Sequence, residues 1–453
     1  MNRSCLPVLL CAAALGGCLA TDDAATDEAA EGAVDASRQA FTAVSSFGSN
    51  PGNLRMFEHV PAGMPANAPL VIALHGCTQQ ATTYLDAGWN ELADQWKFYV
   101  AYAEQQTANN QQRCFTWFNN GDISRGQGEA LSIKQMVDNM KARHSIDPSR
   151  VFVTGLSAGG AMTAVMLATY PDVFRGGAVM AGLPYKCATS INETSTCQFS
   201  GVDKTPKVWG DLVRAQAPAG FAGPFPRVSI WQGAEDFTVR PINATELADQ
   251  WTDVNGADAT PDGQDTVGGA AHSIFKNPAG QVVVESYLIP KMGHGTAVDP
   301  GFAPAAGCGR AGSFILDVNL CSTYHSARFF GLDPNGGTGG SGGSGGTSGT
   351  GGSGGTAGTS GTGGTGGTGG TGGTAGTSGT GGTGGTGGSG GTCQAFTSSN
   401  FAHTSASPPR AVVCNGGHAC AIGSNTDLGL WNTFVTTTLR LTAPNFYQLG
   451  PCP

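Results

Sequence analysis

A serine between two glycines, Gly155-Leu156-Ser157-Ala158-Gly159, is the first feature of this chain whose residue types could carry chemistry. A serine hydroxyl is a weak nucleophile until a neighbouring base takes its proton. Flanking glycines permit a tight, strained turn that lifts the hydroxyl out of a sheet and sets it at the positive end of the next helix. The same scheme requires a carboxylate and then a histidine further along, each just past a strand. Asp236, in Trp231-Gln-Gly-Ala-Glu-Asp236-Phe-Thr-Val239, and His294, in Met292-Gly-His294-Gly295, stand in that order. His294 is then the general base and Asp236 its orienter, with Glu235 as the rival acid. His59, His144, His272 and His325 lack such context and read as structural. A tetrahedral intermediate also needs donors for its oxyanion, and Leu74-His75-Gly76-Cys77 ends another apolar run ahead of the serine. The backbone N–H groups of Cys77 and Ala158 are the natural pair. His75 has two readings, as a substrate contact or as a brace that holds its own loop through the ring nitrogens.

These residues act together only if the elements between them bring them to one edge. Residues 69–74, 150–154, 227–231 and 282–289 are short, nearly continuous apolar runs, the pattern of parallel strands buried on both faces. Residues 128–143 and 158–170 carry helical spacing, the second stopped by Pro171. Strand and helix in alternation predict an α/β architecture, the α/β-hydrolase fold with a parallel-type central sheet.

Composition sets the limits around that domain. The chain has 453 residues and a net charge of -9, with no Lys/Arg-rich run to neutralise phosphates, so a nucleic-acid partner is not expected. No apolar run past the N-terminus is long enough to span a bilayer, and no metal-ligand spacing or phosphate loop suggests a cofactor. Residues 1–20 read as a secretory signal peptide. Leu15-Gly16-Gly17-Cys18 resembles a bacterial lipobox, which would make Cys18 a lipid anchor and the protein a cell-surface one; ordinary cleavage near Ala20 would release it. An acidic, alanine-rich tether follows over 21–40, then the catalytic block 41–333. Of 72 glycines, 33 fall in 336–392, where only Gly, Ser, Thr and Ala occur, so 334–392 reads as a flexible linker. A small block, 393–453, begins and ends near cysteines that would staple it. Beyond Cys18 ten cysteines remain, an even number that in an exported protein suggests disulfides. Sequence proximity favours Cys187–Cys197, Cys308–Cys321 and Cys414–Cys420, leaving Cys77 with Cys114 and Cys393 with Cys452.

Leu74-His-Gly-Cys-Thr-Gln79, the Gly-Leu-Ser-Ala-Gly-Gly run at 155–160, Trp231-Gln-Gly-x-x-Asp236-x-x-Val239 and Gly293-His-Gly-Thr296 together resemble the extracellular poly(3-hydroxybutyrate) depolymerases. The oxyanion segment precedes the serine, as in their type 1 catalytic domain, and the match covers roughly 41–333. That domain type is also similar to feruloyl and acetylxylan esterases. The last block, with Phe396-Thr-Ser-Ser-Asn-Phe401, Gly423-Ser-Asn-Thr-Asp-Leu-Gly-Leu-Trp431-Asn-Thr-Phe434 and Cys452-Pro453, resembles the C-terminal substrate-binding domain of the depolymerases. The resemblance implies a solid polyester as substrate and a tryptophan beside the acyl site, where Trp117 falls. Cys414 and Cys420, and the plain Gly/Thr/Ser linker, depart from the family pattern. The block carries more aromatics than so small a core must bury, so Phe401, Trp431, Phe434 and Tyr447 are expected at a binding surface. Two other functions compete: a plant-wall esterase whose tail binds polysaccharide, and a non-catalytic surface adhesin. The complete Ser, Asp and His in order argue against the adhesin.

Overall fold

Residues 41–302, 308–335, 394–404, 406, 409–414, 418–430 and 436–452 are described by a computed structural model of the chain. The signal peptide, Cys18, the acidic tether, the linker, Trp431 and Phe434 lie outside the described residues. Two units form, one from the described residues up to Asn335 and one from most of those beginning at Gln394.

In the first unit the apolar runs become strands of a ten-stranded sheet ordered β1-β2-β4-β3-β5-β6-β7-β10-β9-β8. The strands are β1 Phe41–Val44, β2 Arg55–His59, β3 Ala68–Leu74, β4 Tyr99–Glu104, β5 Ile146–Leu156, β6 Gly176–Met180, β7 Arg227–Gly233, β8 Gly263–Val267, β9 Ala270–Lys276 and β10 Val282–Ile289, and a separate parallel pair is formed by β11 Thr296–Val298 and β12 Ile315–Asp317. From β4 through β3, β5, β6 and β7 to β10 all pairings are parallel. The outer pairs β1/β2, β2/β4, β10/β9 and β8/β9 are antiparallel, so the sheet is mixed at its edges. The four predicted runs are β3, β5, β7 and β10; the polar edge strands β8 and β9 carry no continuous apolar signal.

Helices cover both faces, and β3 shows why. Its residues are buried throughout, yet Leu70, Ile72 and Leu74 join one core while Val71 and Ala73 join the other. The first core takes Met136 and Val137 and, from the central helix, Val165. The second takes Tyr84, Trp89 and Phe330. The helices concerned are α1 Ala81–Tyr84, α2 Trp89–Trp96, α3 Gly128–Arg143, α4 Ala158–Thr169, α5 Pro206–Arg214, α6 Ile242–Val254 and α7 Ser322–Phe330. Every residue of α4 is buried, which fits its near-uniform apolar sequence behind the serine.

The second unit is built from two three-stranded sheets and a short helix, α8 Asn400–Thr404. Strands β13 Gln394–Ser399, β17 Thr436–Ala443 and β18 Phe446–Leu449 form one sheet; β14 Ala411–Cys414, β15 His418–Ala421 and β16 Asp427–Leu430 form the other. Disulfides join Cys187–Cys197, Cys308–Cys321 and Cys414–Cys420, the pairings sequence proximity favours, and Cys77–Cys114, one of the pairs those leave. Cys452 is also disulfide-bonded, while Cys393 lies outside the described residues. Among the described residues no helix is long and apolar enough to cross a membrane.

Candidate active site

Strand β5 ends at Leu156 and helix α4 begins at Ala158, so Ser157 is the single residue of the turn between them. It takes φ 57° and ψ -117°, a conformation costly for a residue with a side chain and characteristic of functional turns. The strain is held from both sides: Ser157 N–H donates to Met180 O at the end of β6, and Ser157 O accepts from Ala161 N–H, each at 2.8 Å. The flanking glycines are not needed for their own backbone angles. A Cβ on Gly159 would sit 2.3 Å from Leu74 O, and one on Gly155 2.4 Å from Gly159 O. They let the end of β3 lie directly against the elbow, which brings the oxyanion segment to the serine.

Asp236 lies shortly past β7, 1% exposed. Its Oδ1 accepts the backbone N–H groups of Thr238 at 2.8 Å and Val239 at 2.9 Å. Its Oδ2 accepts from Gln232 Nε2 at 3.1 Å and from His294 Nδ1 at 2.7 Å. A carboxylate only accepts, so His294 carries its proton on Nδ1 and presents Nε2 as the basic nitrogen. Glu235 is exposed, so the carboxylate that meets His294 is that of Asp236. Gln232 Nε2 also donates to Val239 O at 2.9 Å and so closes the Asp236 loop; the sequence reading gave this glutamine no role, although it stands inside the motif. The Asp236 and His294 loops are registered back to back. Ala234 N–H donates to Ile289 O at 2.8 Å and Glu235 N–H to Met292 O at 2.9 Å, and a Cβ on Gly233 would sit 2.3 Å from Met292 O. Phe314 packs edge-on against the His294 ring, centroids 6.0 Å apart.

Ser157, Asp236 and His294 thus all follow the carboxyl ends of parallel strands, β5, β7 and β10, on one edge of the sheet. Cys77 follows β3 on the same edge. Among the described residues neither Cys77 N–H nor Ala158 N–H donates to another protein group, leaving both donors open. The Cys77 segment is anchored by the Cys77–Cys114 disulfide and by Gln79, whose Oε1 accepts Gly76 N–H at 2.8 Å while its Nε2 donates to Ser313 O at 2.7 Å.

His75 is a brace, which corrects its reading as a substrate contact. It is 0% exposed; its Nε2 accepts Gln105 N–H at 3.0 Å, so Nδ1 carries the proton and donates to Gly76 O at 2.7 Å. Burial lowers its pKa to about 4, keeping the ring neutral as this tautomer requires. Behind it lies a carboxyl that sequence reasoning missed. Glu129 accepts from the Gln105 side-chain amide and, at 2.8 Å, from Thr116 N–H. Thr116 Oγ1 lies 2.8 Å from Glu129 Oε1 and 2.7 Å from Asp122 Oδ2. One hydroxyl proton cannot serve two carboxylates, so one of them holds a proton of its own. Burial, reinforced by the charge of Asp122, pushes Glu129 up to about 8 and makes it the protonated one. No periodicity marks such a residue; it looks like an ordinary first-turn helix glutamate.

Trp117 is 3% exposed and packs edge-to-face on Phe118 within the main core. The indole is placed for packing, and its reading as an open acyl-site wall gives way to that. The remaining histidines of the first unit are engaged elsewhere: His59 with Asp94 at 2.9 Å, His144 with Glu58 at 3.0 Å, His272 with Asp265 at 2.7 Å, and His325 among Trp231, Tyr287 and Tyr324.

In the second unit Tyr447 is 4% exposed, lies edge-on to Phe396 and belongs to the small core, which corrects its assignment to the surface. Phe401 falls in α8, and Trp431 and Phe434 lie outside the described residues. The exposed large apolar side chains described there are Val412 and Leu449. The β13/β17 register places Thr397 opposite Thr438, their hydroxyls 2.8 Å apart.

A mostly parallel sheet with a strained serine after one strand and an acid–histidine pair after two others defines the α/β-hydrolase class. Residues 57–270 match the family model described as Esterase PHB depolymerase. Poly(3-hydroxyalkanoate) depolymerase C of Paucimonas lemoignei is 61% identical over 293 residues, 65% of this chain and 70% of that protein. Feruloyl esterase B of Thermothelomyces thermophilus is 38% identical over 225 residues, 48% of this chain and 76% of that protein. Among solved structures, the acetyl xylan esterase from Aspergillus awamori matches with TM-score 0.55 and 26% identity, covering 64% of this chain and 99% of that one. The chain belongs to the poly(3-hydroxyalkanoate) depolymerase family and is a carboxylic ester hydrolase.

Proposed function

We propose that the protein is an exported depolymerase of solid poly(3-hydroxybutyrate), working through an acyl-enzyme at Ser157. The observation that carries the chemistry is the 2.7 Å hydrogen bond from His294 to Asp236 on the sheet edge that bears Ser157. His294 Nε2 takes the Ser157 proton as Oγ adds to the ester carbonyl carbon. The carbonyl electron pair moves onto oxygen, where Cys77 N–H and Ala158 N–H receive it. Collapse breaks the bond to the alkyl oxygen, which leaves with the proton from His294. Water then repeats the sequence on the acyl-serine and releases the acid.

The polyester assignment draws on the 61% identity to the Paucimonas lemoignei protein, against 38% to the feruloyl esterase. The second unit is the module that adsorbs to polymer, with Val412 and Leu449 exposed for apolar contact and the Thr397–Thr438 row for ester carbonyls. Export rests on the 1–20 signal, and Cys18 decides between a lipid-anchored and a released form.

The test compares the full chain and Ser157→Ala on opaque plates of poly(3-hydroxybutyrate), feruloylated xylan and tributyrin. Clearing of polyester by the native chain and no clearing of any substrate by the variant are expected. Clearing of xylan ester alone would give the plant-wall reading, and activity retained in Ser157→Ala would remove the nucleophile.

A further inference from the structure

The loop that carries Asp236 also carries Arg240, which pairs with no acidic side chain among the described residues. Its backbone is fixed: Arg240 N–H donates to Gln198 O at 2.9 Å, and Asn243 Nδ2 donates to Gln198 O at 3.4 Å and Arg240 O at 3.2 Å. Gln198 comes from the excursion that leaves the carboxyl end of β6 and is stapled by Cys187–Cys197. In the sheet order β6 lies between the Ser157 strand β5 and the Asp236 strand β7. Arg240, Gln198 and Asn243 therefore meet on the rim of the catalytic edge.

Four buried polar atoms there have no partner: Arg240 Nε, Gln198 Oε1, Asn243 Oδ1 and Thr238 Oγ1. Asn243 is 0% exposed, and its amide nitrogen is already committed to two carbonyls, so the unused end is the acceptor. Buried polar groups in native structures are paired with protein, water or ligand, so this rim takes polar partners that the protein itself does not supply. Apolar surface lies alongside: Phe237 is 51% exposed, with the Arg240 guanidinium carbon 5.6 Å from its ring centroid, and Ile242, further along the same segment, is exposed. A cation beside apolar surface fits a short aliphatic acid, with the carboxylate on the guanidinium.

The direction of the chain agrees. The leaving alkyl oxygen takes its proton from His294 Nε2, so the leaving half of the substrate lies on the histidine side of Ser157, and the His294 loop is hydrogen-bonded to the loop that carries Asp236 and Arg240. In a hydroxyacid polyester that half runs on to the carboxyl end. We propose that Arg240, backed by Gln198 and Asn243 and flanked by Phe237 and Ile242, binds the terminal carboxylate of a short hydroxyalkanoate chain whose ester lies at Ser157. This rests on the polyester reading above. Such a subsite favours chain ends and soluble oligomers over neutral chain interiors.

The test uses the full chain, the 3-hydroxybutyrate trimer as free acid, and the same trimer as methyl ester. The readout is the ratio of kcat/KM for acid over methyl ester, taken on one protein sample so that partial misfolding cancels. Native protein should favour the acid, and Arg240→Gln should lower the ratio about 10- to 100-fold, the range of a charge-assisted hydrogen bond. An equal ratio in native and variant protein overturns the subsite while leaving the depolymerase reading intact. Failure of the native protein to hydrolyse either trimer overturns the depolymerase reading and the subsite with it.

Discussion

At the scale of single residues, the site separates groups that face reacting atoms from groups that hold them there. In the proposed reaction Ser157, His294 and the N–H groups of Cys77 and Ala158 belong to the first kind. Gln232, Gln79, His75 and Glu129 belong to the second. Glu129 has a consequence that pH can read. Its folded value is raised to about 8 from 4.5, mainly by burial. Between those values the folded chain binds more protons than the unfolded one, so this group's contribution to stability is full at acid pH and is lost as pH rises through the window. Glu129→Gln keeps the shape, donates to Thr116 Oγ1 and does not titrate. Thermal midpoints of native protein and variant, taken across that window, should diverge progressively, the variant losing less with rising pH. Parallel curves would mean that Glu129 is ionised at neutrality.

Elements matter here through how closely they approach. The elbow functions because β3, β5 and α4 meet with almost no space between backbones, and Gly159 is where they touch. By helix propensity alone Gly159→Ala in the first turn of α4 would stabilise by up to about 1 kcal/mol. With a Cβ 2.3 Å from Leu74 O and 2.5 Å from His75 O, the opposite is expected, a loss of roughly 1–3 kcal/mol from overpacking. The displaced segment carries Cys77 N–H, so kcat on a soluble nitrophenyl ester should fall by more than the stability loss explains. Denaturant unfolding and kinetics on the same sample check this; a stabilised, fully active variant would show that the elbow tolerates a wider gap.

For the molecule as a whole, two folded units are joined by 57 residues, 336–392, whose Gly, Ser, Thr and Ala composition predicts a coil of roughly 40 Å r.m.s. span. Tethering raises the local concentration of the catalytic unit once the other unit has adsorbed. Truncation after Asn335 should leave hydrolysis of nitrophenyl butyrate nearly unchanged, since a soluble ester reaches Ser157 by diffusion. Clearing of solid polymer at low enzyme loading should drop severalfold or more. Equal clearing by the truncated chain would deny the second unit its polymer-binding role.

Chain order and local pattern were enough to mark Ser157, Asp236 and His294 as candidates, because each sits just past a continuous apolar run and such runs are buried strands whatever surrounds them. The same locality explains the helices at 128–143 and 158–169, and the four described disulfides, three of which close short loops. Other features depend on which distant segments share a surface, and that is not written in spacing. Asp236, not Glu235, meets His294 because folding buries one and exposes its neighbour. His75 became a brace because Gln105, from the far end of β4, supplies a backbone N–H to its ring. Glu129 keeps its proton because three segments bury it beside Asp122. Trp117 and Tyr447 went inward because a large aromatic ring loses more by staying in water than a binding surface at those positions could return. Burial and partner choice are properties of the packed chain, so only the tertiary structure could decide them.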